Sequence, residues 1–101
     1  MKKYVGTHGH LVMIHNNDQA SPLDYHLKLG NHSPTGFSWG YGGSGPHQLA
    51  IAILFDVTGD RGIVLKYSQK YKWDKIAKLD QNQDFVITVQ EVLRWLKKVT
   101  I

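Results

Sequence analysis

Apolar and polar residues alternate with a period of two along the first third of the chain, then shift to helical spacing, and that change sets the expected architecture. Residues 3–7 and 11–16 read as a hairpin turning at His8-Gly9-His10, with Val12 and Ile14 set against Met13 and His15. Residues 16–22 read as a polar connection, with Asn-Asn-Asp and Ser-Pro as turn signals. Residues 24–29 alternate again, Tyr25, Leu27 and Leu29 against Asp24, His26 and Lys28, which predicts a third short strand or an extended segment. Phe37, Trp39 and Tyr41 alternate with Ser38 and Gly40, so a strand there places all three rings on one face.

Helical patterns follow. Residues 46–57 predict a helix capped by Ser44 or Gly45, with Pro46 at its first position, where proline is welcome. It is apolar on every side from Leu49 to Phe55, so it is a buried helix. Thr58-Gly59-Asp60 ends it. Residues 61–79 predict a second helix, with Val64, Tyr67, Ser68 and Tyr71 as its inward stripe. Thr88 and Glu91 have the spacing of a capping box before a last helix running to about Val99. Val89, Val92, Leu93, Leu96 and Val99 are its predicted inward positions. The class is α+β: a small antiparallel sheet, an N-terminal hairpin plus one or two strands, packed on about three helices in a single domain spanning residues 1–101.

Composition narrows the chemistry. The chain has 101 residues, 42% of them apolar, enough for one core and not two. It has no cysteine, which excludes disulfides, thiolate metal sites and cysteine nucleophiles. No apolar segment follows the first lysines, and the longest apolar run is far shorter than a membrane span. The expectation is a cytoplasmic protein with no membrane association. The net charge is +4, unevenly placed. Residues 1–59 balance three lysines against three aspartates, whereas residues 60–101 carry nine basic groups against five acids. That excess favours polyanionic partners.

Gly40-Tyr41-Gly42-Gly43-Ser44-Gly45 fits G-x-G-x-x-G by letter. The acidic residue and second parallel strand of a dinucleotide fold do not follow, and no Lys-Ser/Thr pair makes it a Walker loop. The underlying physics remains: glycines before a helix N-terminus let an anion approach unpaired amides. Trp39 or Tyr41 can stack on a base, and His47 can add a donor. The competing reading is a tight turn with core aromatics.

The segment from Asn31 to Asp56, NHSPTGFSWGYGGSGPHQLAIAILFD, resembles an uncharacterised domain-of-unknown-function family of small bacterial and phage proteins. Its signature reads N-H-S-P-x-G-F-x-W-G-Y-G-G-S-G-P-x-Q-L-A. The resemblance implies no activity. It picks out Asn31, His32, Ser33, Phe37, Trp39, Tyr41, the glycines, Pro46 and Gln48, and leaves His47 at a variable position.

Other constellations carry less. His8 and His10 can share a strand face, but no third ligand stands at metal-site spacing, so no metal and no cofactor are expected. His32 and Ser33, with Ser44 and His47, suggest a serine hydrolase oriented by Asp24 or Asp56, with His32 the first suspect, yet a nucleophile elbow is absent. Residues 48–71 outline a helix-turn-helix without the polar residues of a recognition helix.

The sequence therefore favours a binding protein over an enzyme, of phage or mobile-element type and possessing a role against host defence. Its small phosphate-bearing ligand, a nucleotide or cyclic nucleotide signal, is expected at Asn31, His32, Ser33, Trp39, Tyr41, Gly42, Gly43, Ser44, Gly45, His47 and Gln48. Homo-oligomers are expected because a short chain makes shallow pockets. The alternatives are a module binding nucleic acid or a host protein through a basic face of Arg61, Lys66, Lys70, Lys72 and Lys75, and a small hydrolase of a nucleotide signal.

Overall fold

The computed structural model describes residues 1–7 and 9–100. It has the expected α+β class. The elements run β1 (Lys2–Thr7), β2 (Leu11–Asn16), β3 (Gln19–Pro22), α1 (Ser44–Thr58), α2 (Arg61–Tyr71), a π-helical turn (Lys72–Ile76), β4 (Phe85–Thr88) and α3 (Val89–Thr100). The strands form one antiparallel sheet in the order β3-β2-β1-β4. Tyr4, Val12, Phe85 and Ile87 supply its buried side chains and join α1 in one core. Every residue of α1 from Leu49 to Leu54 is buried, as its all-round apolar character requires.

Two predicted strands do not form. Residues 24–29 are irregular, and the third strand is instead β3, inside the segment read as a polar connection. Asn17 takes a left-handed φ of 59°, which turns the chain tightly enough for Gln19 to pair with Asn16. Farther on, the Asp24 carboxylate accepts the His26 amide and His26 is left-handed, a local turn that competes with strand geometry. Residues 36–41 are irregular as well. Phe37 and Trp39 are buried, but Gly40 has a φ of 87° and breaks the alternation, so Tyr41 is 44% exposed. The three rings do not share a face.

The helix ends also shift. Gly43 is the N-cap of α1, so Ser44 begins the helix and Pro46 is its third residue. Gly59, left-handed, ends it and returns its amide to the Phe55 carbonyl. The predicted second helix changes winding at Lys72, where the π-helical turn takes over. Asp60 caps α2 by accepting the Ile63 amide. The Thr88–Glu91 capping box forms in both directions. In α3, Leu93 faces solvent and Trp95 takes the inward position.

Candidate functional site

The glycine loop of residues 40–45 lies between the π-helical turn, the 80s loop and the start of α1, and protein atoms fill the space its missing side chains leave. A β-carbon on Gly40 would sit 2.5 Å from the Gln81 backbone nitrogen, and one on Gly42 would strike the Trp73 ring. The Gly40 amide also donates to the Ile76 carbonyl at 3.0 Å. Gly43 differs: its nearest neighbour is the ring of exposed Tyr41, which can swing away. Gly40→Ala, which also meets an unfavourable φ, is therefore expected to cost about 2 kcal/mol or more. Gly43→Ala is expected to cost well under about 1 kcal/mol. Urea denaturation of the two variants checks the contrast.

The first turn of α1 has no side-chain cap and no acidic residue. The His47 amide is the first to bond within the helix, reaching the Gly43 carbonyl at 3.1 Å, and Pro46 has no N–H. The Ser44 and Gly45 amides thus have no hydrogen-bond partner among the described residues, at the positive end of a 15-residue helix.

Lys72 reaches the same place from the π-helical turn. It is only 5% exposed. Its Nζ donates to the Gly42 carbonyl at 3.5 Å and lies 4.5 Å from the centroid of the Trp73 ring. Among the described residues no carboxylate pairs with it. A buried ammonium is normally paired, so this cation beside a helix N-terminus leaves a positive field open to an anion. The expected basic face is divided accordingly: Lys72 turns in to the loop, whereas Arg61, Lys66, Lys70 and Lys75 are exposed on α2 and the turn.

Two histidines complete the arrangement. The rings of His32 and His47 stack with centroids 4.1 Å apart. Nε2 of His47 is 3.3 Å from the Ser68 hydroxyl on α2. Burial, followed by the charges of His32 and Lys72, pushes the His47 pKa down to about 4. The unfolded chain, whose histidine titrates near 6.5, therefore binds more protons between about pH 6.5 and 4. Stability is full above that window and is lost as pH falls through it. Solvent screening of the partly exposed ring reduces the loss, which should be about 1 kcal/mol between pH 7 and 5. Denaturant titrations at the two pH values should show a smaller loss for His47→Gln.

The remaining predicted site residues are placed differently. Gln48 is wholly buried. Its Oε1 accepts the amides of His32 at 2.8 Å and Ser33 at 3.1 Å, and its Nε2 donates to the Tyr25 carbonyl at 2.7 Å. The Ser33 hydroxyl donates to the Gly36 carbonyl. Both residues hold the 25–36 loop in place through these bonds. Trp39 is also buried, its indole donating to the Gln83 carbonyl at 3.1 Å, so it cannot stack on a base from the loop. Asn31 is exposed.

The suspected triad does not assemble. Asp56 is at the far end of α1, held by the Tyr4 hydroxyl and by Lys2 at 2.7 Å, and Asp24 serves its own turn. The residue that meets His47 is Ser68. Its only sequence signal is a polar side chain on the otherwise apolar stripe of α2. The pairing of His8 with His10 lies outside the described residues, among which no group of three or more His, Asp or Glu gathers. No helix among them is long and apolar enough to cross a membrane.

Comparison with known proteins adds one match. The family described as a family of unknown function (DUF6166) matches residues 4–98. No curated protein and no solved structure matches the chain.

Proposed function

Since the chain belongs to that family, whose function is unknown, we propose from the site alone that it is a non-enzymatic binding protein for a phosphate-bearing ligand. The ligand is a nucleotide or cyclic nucleotide signal, held at the N-terminus of α1. The observation that carries the reading is Lys72, a buried cation with no carboxylate partner among the described residues, pointed at the loop that opens this helix. The Ser44 and Gly45 amides receive the phosphate oxygens, Lys72 neutralises them, and His32 and His47 edge the anion. Exposed Tyr41 and Trp73 are the rings available to stack on a base. Trp39 and Gln48 support the loop from behind.

The setting we propose is a phage or mobile-element protein that withdraws such a signal from a host defence, acting in the cytoplasm as an oligomer. Size, charge and the signature of residues 31–48 support this. The open side of the sheet supports the oligomer: Val86, Val5, Met13 and Pro22 stand in one row across all four strands. Val86 is half-exposed, and such a row suits a subunit seam.

Native mass spectrometry with adenosine monophosphate, a cyclic dinucleotide and a cyclic trinucleotide tests the reading and reads stoichiometry at the same time. One nucleotide retained intact is expected. Lys72→Met keeps the aliphatic stem and removes the charge, and it should weaken binding tenfold or more while the fold, read by circular dichroism, is kept. Failure of every nucleotide to bind, or equal binding by Lys72→Met, overturns it. One contact favours a second reading, hydrolysis of the ligand: His47, neutral at pH 7, sits beside the Ser68 hydroxyl as a base beside a nucleophile would. Conversion of the nucleotide that stops in Ser68→Ala would select it.

A further inference from the structure

A second anion surface lies apart from the loop, where the π-helical turn meets α3. Two adjoining clefts, of about 520 and 190 Å³, share Lys75, Trp95 and Lys98 and so form one groove. Lys70, Lys78 and Arg94 complete its basic lining, and among the described residues its acids are Asp74 and Glu91. Both carboxylates are engaged. Asp74 accepts the Trp95 indole N–H at 3.0 Å and pairs with Lys70 at 3.3 Å. Burial acts to raise its pKa, but the hydrogen bonds from Trp95 and Lys70 and the charges of Lys70 and Lys78 outweigh it, so Asp74 stays ionised. Glu91 closes the capping box at the start of α3. Among the described residues Lys75, Lys78, Arg94 and Lys98 have no carboxylate partner.

We propose that this groove binds the phosphate backbone of nucleic acid, without reading its sequence. Sequence alone places a basic face on one helix. The structure instead sets the cations of residues 70–78 and those of α3, some twenty residues apart in the chain, around one cleft. The composition of the walls decides between classes of partner. Protein interfaces are depleted in lysine and anchored by exposed aromatic or apolar side chains. Here four of the five cations are lysines, and the one aromatic ring, Trp95, is 6% exposed with its N–H already donated. Nucleic-acid interfaces are polar and strongly basic, as this groove is. Four unpaired cations predict a slope of log K against log salt of about −3.

Fluorescence anisotropy with a labelled DNA duplex of about 20 base pairs, and with a single strand of equal length, tests the proposal across a salt series. Binding of either that weakens with salt is expected, and comparing the two shows which form the groove prefers. Lys75→Gln/Lys98→Gln, both on exposed positions, should weaken it tenfold or more at roughly 50 mM salt and flatten the slope by about 2. Lys78→Gln/Arg94→Gln should do the same, whereas Lys72→Met should leave it unchanged. Absence of salt-dependent binding, or indifference to both double variants, overturns the proposal. So does binding of polyglutamate as tight as that of the oligonucleotides, which would assign the groove to acidic protein segments.

Discussion

Replacing Gln48 by leucine is expected to destabilise the protein by about 3 kcal/mol, although the two side chains are close in size. Gln48 is buried in the second turn of the fold's most apolar helix, where a polar side chain persists only if its bonds are made. Its three bonds go to backbone groups of Tyr25, His32 and Ser33. Leucine leaves two donors and one acceptor without partners, at about 1–3 kcal/mol each where water is excluded and less where it enters. Denaturant unfolding measures the loss. The 25–33 segment should show it first as faster amide exchange at His32 and Ser33. A loss under about 1 kcal/mol would mean that water replaces the amide and that the loop is held by other contacts.

Trp39→Ala is the second large effect, about 3–5 kcal/mol. The ring is 1% exposed, meets Phe85 edge-on with centroids 4.8 Å apart, and ties residue 39 to the Gln83 carbonyl. Its removal opens a cavity where the loop, the sheet and the 80s segment meet. For a domain of about this size such a loss lowers the melting temperature by some 15–30 °C. A calorimetric melt checks it. A fall of only a few degrees would place the indole at the margin of the core. Both substitutions are expected to damage ligand binding only by loosening the loop, which distinguishes them from Lys72→Met.

What could be read from sequence divides by the range of the interaction. The β1–β2 hairpin, the buried character of α1, its glycine stop and the Thr88–Glu91 box depend on neighbouring residues, and each is present. The misread segments combine local turns at Asn17, His26 and Gly40 with packing between partners farther along the chain. Tyr25, Leu29 and Phe37 have the alternation of strand residues, but Tyr25 stacks on Phe37 with centroids 4.1 Å apart in irregular chain. Hydrophobic spacing records which side chains are buried, and it does not record whether the backbone between them pairs. Lys72 sits within a run of surface lysines and shares their composition. Yet it stands four residues after buried Ser68 and its amide still bonds back to the Ser68 and Gln69 carbonyls, so the inward stripe of α2, carried one turn farther, brings it to the loop. The glycines were legible as close-approach positions, but what approaches at Gly40 and Gly42 is Gln81 and Trp73. The part of the loop proposed to face a ligand thus contracts to the amides of Ser44 and Gly45.

Those two amides offer the most direct test. Two-dimensional amide NMR of the ¹⁵N-labelled protein, titrated with adenosine monophosphate, reads each backbone donor separately. A site at the α1 N-terminus predicts saturable shifts centred on Ser44 and Gly45, with Lys72 and His47 following, and their loss in Lys72→Met. No shift at Ser44 or Gly45, or shifts confined to Lys75, Arg94 and Lys98, would contradict it and leave the glycine loop a packing feature of the fold.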